Sequence, residues 1–265
     1  MADTKKTLLK FDHVTMRFGG LKAVDDLAFD VKENEILGII GPNGAGKTTV
    51  FNCLTQFYKD YEGTILYRKQ NEDDFIDLNT VLVTRIIDLG IVRTFQNIEL
   101  VPDLSVIDNV LIGAHRQFET GVFAHIFRTG KYKKEEKNLR DKASDILKFM
   151  NLDAIKDSPA GGQPYGVLKR IEIARTLMSD PKLIILDEPA AGLNESETTE
   201  LTRIIHDIQK KYQASILVIE HDMNFVMRIC DRVCAINFGK FIAIDTPKNI
   251  QSHPEVQKAY LGEGE

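Results

Sequence analysis

Apolar residues follow two different rhythms along this chain. Before about residue 95, and again after 182, they come in short runs or alternate with polar residues; between 105 and 151 they recur every three or four positions. Residues 8–14 (LLKFDHV) and 24–31 (VDDLAFDV) read as strands around a turn at Phe18-Gly19-Gly20. The run 35–40 (EILGII) has the unbroken apolar character of a buried strand; it enters a glycine-rich turn, and a helix is predicted over 47–56. Further strands are predicted at 63–68, 91–95, 182–186, 215–219, 232–236 and 241–244. A helix over 197–211 places Leu201, Ile204, Ile205 and Ile208 on one face, and in the middle block Leu139, Ala143, Ile146, Leu147 and Met150 form one stripe. Strand–helix–strand order implies parallel strands joined by right-handed crossovers. The expected fold is therefore α/β, with the helical block inserted into the sheet-bearing part.

Composition narrows the function classes. A net charge of -5 gives no general attraction for nucleic acid, and none is expected as a partner. The one dense run of charge, residues 131–137 (KYKKEEK), reads as a solvated helix face. Cys53, Cys230 and Cys234 lack CxxC spacing and sit among apolar residues, which speaks against a disulfide or zinc and fits a reducing cytosol. The first ten residues lack the apolar stretch of a signal peptide, and no apolar run approaches the ~18 residues of a membrane span. The expectation is a soluble chain whose membrane role, if any, comes through partners.

The strongest local signal is residues 41–49 (GPNGAGKTT), which fit the phosphate-loop pattern G-x-x-x-x-G-K-[ST] between a predicted strand and a predicted helix. Gly41, Gly44 and Gly46 allow a tight turn, while Pro42, Asn43 and Ala45 supply intervening backbone. Successive N–H groups and the helix start then face an anion. Lys47 adds a point charge for the β- and γ-phosphates, the Thr48 hydroxyl can ligate Mg²⁺, and Thr49 completes the loop. The plainer reading, a glycine-rich turn with an incidental lysine, leaves the complete pattern unexplained.

A second apolar strand, residues 183–189 (LIILDEP), ends in two acids at the edge where α/β proteins bind ligands. Asp187 can hold Mg²⁺ through water, and Glu188 can act as general base on the attacking water. A strand followed by a solvated acidic turn is the alternative. The next strand ends in Glu220-His221-Asp222, and His221 there can hydrogen-bond a γ-phosphate and sense its loss. Gln96, ending the strand 91–95, supplies an amide for the metal, and Phe18 a ring for adenine; each also reads as an ordinary turn residue.

Together these residues resemble the ATP-binding cassette superfamily over nearly the whole chain. The family order of aromatic A-loop, Walker A, Q-loop, signature, Walker B, D-loop and switch histidine falls here on Phe18, residues 41–49, Gln96, residues 163–167, residues 183–188, residues 191–194 and His221. The resemblance implies a P-loop NTPase (RecA-like) parallel-sheet core with an N-terminal antiparallel β subdomain and an inserted α-helical subdomain. Residues 1–96 and 167–249 would form the core, 97–166 the insertion and 250–265 a C-terminal helical extension. It also implies ATP and Mg²⁺ as ligands, with Val24 joining Phe18 in the cofactor site, and a head-to-tail pair of ATPase chains, homodimer or heterodimer. The phrases FGGLKAVDD, GIVRTFQNIELVPDLSVIDNVLIGAH, LDEPAAGLN, IEHDMNFVM and VQKAYLGEGE are similar to ATPases of branched-chain amino-acid importers. That implies transmembrane permease subunits, an indirect solute-binding protein and a place at the cytoplasmic face of the membrane.

One element departs from the pattern. The signature, usually LSGGQ or LSYGQ, should precede the triplet Ile173-Ala174-Arg175, which puts it at residues 163–167 (QPYGV) rather than at the earlier Gly161-Gly162-Gln163. Pro164 replaces the serine and Val167 the glutamine, while Gly166 remains at the helix start to bind an anion through its backbone. Other readings are an ATPase of a related system for urea, lipid or polysaccharide, a soluble cassette acting on DNA or ribosomes, and a regulatory module that binds ATP but barely hydrolyses it.

Overall fold

A computed structural model describes residues 5–69, 72–94, 98–117 and 130–261. It divides into two compact units, Met1–Arg93 with Lys182–Ala191 and Thr198–Glu265, and Thr94–Pro181 with Gly192–Glu197.

The first unit contains two sheets. β1 (Thr7–Phe18), β2 (Leu21–Lys32), β4 (Glu62–Arg68) and β5 (Phe75–Asp77) form an antiparallel sheet in the order β2-β1-β4-β5. β1 and β2 run past the predicted limits right up to the Gly19-Gly20 turn, because their register survives several bulges. Two non-glycine residues at these irregularities, His13 and Asp26, take φ of 54° and 56° and pair at 2.7 Å across the strands.

The second sheet has the order β10-β9-β3-β8-β7-β6, from β3 (Ile36–Ile40), β6 (Ile91–Arg93), β7 (Leu183–Asp187), β8 (Ser215–Ile219), β9 (Arg232–Asn237) and β10 (Lys240–Asp245). All its pairs are parallel except β9 with β10. Every residue of β3, β7 and β8 is buried, which is why these strands read as continuous apolar runs. One hydrophobic cluster joins the sheets around α1 (Lys47–Leu54), with Phe11 stacked on Phe29 at 4.5 Å and Phe51 and Leu54 fully buried.

α5 (Glu195–Tyr212) buries the expected Leu201, Ile204, Ile205 and Ile208. α6 (Met223–Ile229), which the sequence did not suggest, is started by Asp222, whose carboxylate accepts from the N–H groups of Asn224 and Phe225. α7 (Pro247–Gln251) and α8 (Pro254–Leu261) complete this unit.

The helical unit contains α2 (Val106–Leu111), α3 (Gly130–Phe149) and α4 (Tyr165–Leu177). In α3, Leu139, Ala143, Ile146 and Leu147 are buried as the stripe predicts, with Met150 just beyond, while Lys133, Lys134, Glu136 and Lys137 are exposed. α4 groups with this unit, whereas the sequence reading assigned residues from 167 onward to the core. Its Ile171, Ala174 and Leu177 are buried, and the carbonyl of Arg175 lies so near Gly113 that a Cβ there would stand 2.0 Å away.

Candidate functional site

β3 runs into the phosphate loop, and the loop's shape depends on missing side chains. A Cβ on Gly41 would stand 2.3 Å from the carbonyl oxygen of Ile236, and one on Gly46 at the same distance from that of Ala23. Gly46 also has φ +99°, a left-handed conformation, and caps α1. The loop is tied by hydrogen bonds from Ala45 N–H to Pro42 O (3.1 Å) and from Gly239 N–H to Ala45 O (2.9 Å). Asn43, Gly44 and Thr48 are exposed, Pro42 and Thr49 are half-buried, and Ala45 is buried.

Lys47, the first residue of α1, is buried, and its Nζ donates to the carbonyls of Gly41 (2.7 Å) and Pro42 (3.0 Å). Burial lowers its pKa, opposed by the charges of Glu188 and Asp187. The lysine at the start of α1 and the acids after β7 are thus close enough to interact.

Asp187 is the last residue of β7 and almost wholly buried. Its Oδ2 accepts from Arg93 Nη2 at 2.7 Å, while Arg93 Nη1 donates to Asn52 Oδ1 on α1 at 2.7 Å. The guanidinium lies 5.5 Å above the Phe51 ring. Sequence reasoning missed Arg93. The signal was an arginine ending a buried strand, since a charge in that position requires a partner.

Glu188 follows with φ +46°, an uncommon conformation for a residue bearing a Cβ. Its N–H donates to Ile219 O at 3.0 Å, so the turn is held by the adjacent strand. His221, 57% exposed at its side chain, has Nδ1 3.6 Å from Glu188 Oε1 and 3.8 Å from Glu220 Oε2. Glu220 is buried and was also missed. Its carboxylate accepts from the N–H groups of Ala190 (2.9 Å), His221 (3.0 Å) and Asp222 (3.4 Å). Burial raises its pKa, and those backbone donors act against the rise.

Phe18 ends β1 and is 43% exposed, with its ring edge-on to Tyr58 at 5.1 Å. Val24 is a correction: it is fully buried in the hydrophobic cluster and presents no side-chain surface to a ligand, because strand alternation turns it inward. Gln96 lies outside the described residues. Gly166, in the first turn of α4, has the Glu197 carboxylate beside it; a Cβ there would stand 2.7 Å from Glu197 Oε1. The sequence pattern that makes the Gly166 N–H a donor to an anion gives no sign of this negative group. Among the described residues no three or more His, Cys, Asp or Glu side chains form a metal cage. The oxygen donors that remain, the exposed Thr48 hydroxyl and the Asp187 carboxylate, fit magnesium, which takes few protein ligands and shares substrate phosphates.

Comparison with known proteins agrees with this geometry. The ABC transporter family model matches residues 24–191, and a model described as branched-chain amino acid ATP-binding cassette transporter matches residues 242–265. The chain is 42% identical over 256 residues to the high-affinity branched-chain amino acid transport ATP-binding protein LivG of Salmonella typhimurium, covering 97% of this chain and 98% of that one. It is 41% identical to the corresponding protein BraF of Pseudomonas aeruginosa, covering 97% and 99%. A solved ATP-binding cassette of an ABC transporter in its ADP conformation superposes with a TM-score of 0.81 at 30% identity, covering 97% of this chain and all of that one. With a family model spanning more than half of its length and relatives matched end to end, the chain belongs to the ABC transporter family as an ATP-binding cassette.

Proposed function

We propose that this chain is the ATP-hydrolysing, energy-coupling subunit of an importer for branched-chain amino acids. It would work at the cytoplasmic face of the membrane, with transmembrane permease subunits, a second ATPase chain and, indirectly, a solute-binding protein. The convergence of Lys47, Asp187, Glu188 and His221 at one edge of the parallel sheet carries the enzymatic reading. The full-length likeness to transport proteins named for branched-chain amino acids supports the solute class.

The residues divide the work as follows. The loop amides and Lys47 bind the phosphates of ATP, and Phe18, backed by Tyr58, offers a ring to the adenine. Thr48 and Asp187 would hold magnesium, joined by Gln96. A magnesium ion held there would supply positive charge against the phosphates of ATP. Arg93 holds the Asp187 carboxylate in place through its hydrogen bond. Glu188 takes the proton of the attacking water, and His221, beside it at 3.6 Å, steadies its carboxylate and reports the γ-phosphate.

Glu188→Gln tests the enzymatic half. The amide is nearly isosteric but is a far weaker base, so ATP binding should persist while turnover of the assembled complex falls by about 10²- to 10⁴-fold. Undiminished turnover would move the base to another residue, with His221 next. Uptake of leucine by proteoliposomes holding the chain, its permease and its binding protein checks the solute; uptake of urea instead would reassign it. A second reading, a regulatory subunit with one weak site, is favoured by Pro164 as the N-cap of α4, which has no hydroxyl to offer. Turnover that depends only on the second ATPase chain would select it.

A further inference from the structure

The turn between β9 and β10 is built against its own local chemistry. Lys240 pairs with Asn237, so the turn consists of Phe238 and Gly239, both left-handed with φ of 47° and 76°. Positive φ at both central residues is the pattern of a hairpin turn that favours Asn-Gly, because a bulky side chain resists that conformation. Phe238 takes the asparagine position and is 78% exposed. Its ring gains neither from the backbone nor from the core. The strain is held by neighbours: Gly239 N–H donates to Ala45 O of the phosphate loop, and Asp25 N–H to Gly239 O, both at 2.9 Å.

Phe238 lines a cleft of about 760 Å³ that also takes in Pro42 and Asn43 of the phosphate loop. α8 supplies another wall. It is seated by the buried Val256 and places Glu255 and Lys258, three residues apart on one helix face, on the cleft. Lys240, the first residue of β10, adds a second cation, and Ile242 two residues on adds apolar surface. Lys240 reaches the Asp25 carboxylate at 3.5 Å, and its side chain is largely exposed.

These groups sort by the chemistry they suit. An exposed aromatic face suits a planar ring, and two lysines suit a phosphate. Glu255 can accept from hydroxyl or amino groups. The volume lies in the range of small-molecule sites, about 300–1,000 Å³. A nucleotide carries ring, hydroxyls and phosphate together. We propose that this cleft is a second nucleotide site, in which the base stacks on Phe238 and the phosphates meet Lys240 and Lys258. It goes beyond the ATPase reading and uses that reading only in taking residues 41–49 as the first site. The competing views are that Phe238 only closes a hairpin, or that its ring touches the nucleotide held by the phosphate loop.

Phe238→Asn separates these views, because it removes the ring and supplies the turn with the residue it favours. Calorimetry of the full chain with ATP and magnesium should give two equivalents per chain, and one for Lys47→Ala. That remaining site should weaken about tenfold or more when Phe238→Asn is added, since base–aromatic stacking is lost. Lys240→Glu together with Lys258→Glu should weaken it as well. The Tm of Phe238→Asn should match or exceed that of wild type, so that lost binding is not lost folding. One equivalent in wild type and none in Lys47→Ala would overturn the proposal and leave the phosphate-loop site standing. A lowered Tm for Phe238→Asn with unchanged binding would overturn it in favour of a purely structural turn. A single equivalent that Phe238→Asn weakens would place the ring at the first site instead. If Lys47→Ala keeps an equivalent that Phe238→Asn leaves unchanged, the cleft is not the site and the reading of Lys47 falls with it.

Discussion

Arg93 reaches across the sheet to Asp187, Nη2 to Oδ2 at 2.7 Å, with both side chains nearly out of reach of solvent. A carboxylate suited to a metal is thus already held by a cation, which also grips Asn52 and lies over Phe51. Removing one partner of a buried pair leaves the other charge uncompensated, at about 3–5 kcal/mol. Arg93→Ala should lower unfolding free energy in urea by about that amount, and Arg93→Lys by less. A loss under about 1 kcal/mol would show that Lys47 alone suffices to neutralise Asp187.

Lys47 carries a stability cost in the absence of nucleotide. Burial holds its pKa below the ordinary 10.5, with the Glu188 and Asp187 carboxylates only opposing that. The unfolded chain therefore binds this proton more tightly than the folded one. The penalty is full below the folded pKa and fades as pH rises toward 10.5. Lys47→Met should lose tight ATP binding yet raise the melting temperature of the nucleotide-free protein near neutral pH. A lowered melting temperature would mean that the bonds to Gly41 and Pro42 outweigh the burial.

Glu220 should show the opposite pH dependence to an ordinary surface carboxylate. Its pKa is raised above 4.5 by burial, so the folded state holds its proton longer than the unfolded state. That contribution is present below 4.5 and lost as pH rises through the folded value. Glu220→Gln removes it, along with part of the acceptor capacity for the Ala190, His221 and Asp222 amides, which is a constant offset. Melting temperatures of both proteins between about pH 4 and about pH 7 should therefore diverge in favour of the variant as pH rises. Parallel curves would show that Glu220 has an ordinary pKa.

What could be read in the sequence follows from burial. β3, β7 and β8 are buried on both faces and appear as unbroken apolar runs, and α3 and α5 each bury one stripe that its period reveals. β5, with three residues, and the 3-10 turn Val83–Leu89 are too short to set a period. The cap of α6, Asp222, lies inside a motif that reads first for its chemistry, so the start of this short helix does not stand out. Pattern also sorts faces only after the partner sheet is known: Val24 was legible as a strand residue, but not as one turned into the core. Arg93 and Glu220 are charges whose meaning lies in partners far away in sequence, Asp187 and Ala190. No spacing rule reaches them.

The start of α4 should make this chain a weak donor to a partner's ATP. Pro164 is the N-cap, with its carbonyl accepting from the N–H groups of Val167 (2.9 Å) and Leu168 (3.0 Å), and it brings no side-chain hydrogen bond. Tyr165 packs on Gly192, where a Cβ would stand 3.1 Å from its ring, and Glu197 crowds Gly166 from the side. Glu197 is fixed there by a reciprocal bond with Asn194, each side chain accepting from the other's N–H at 3.0 Å. The first turn of α4 thus offers backbone amides next to a negative group, without the hydroxyl and amide side chains of the family pattern. Each missing charge-assisted hydrogen bond to a γ-phosphate is worth about 1.5–3 kcal/mol, enough for a 10- to 100-fold rate difference if the contact strengthens in the transition state. In a complex with a second ATPase chain, Pro164→Ser with Val167→Gln should raise turnover at the partner's phosphate loop. The serine should also stabilise α4 by about 1 kcal/mol as a better cap. Glu197→Gln, which removes the charge but keeps the bond to Asn194, should add to the gain. Glu188→Gln in this chain should then cost more activity than the equivalent change in the partner. If the restored residues and Glu197→Gln leave turnover where it was, and the two base mutants lose equal activity, the amides of α4 are sufficient and the sites are equivalent.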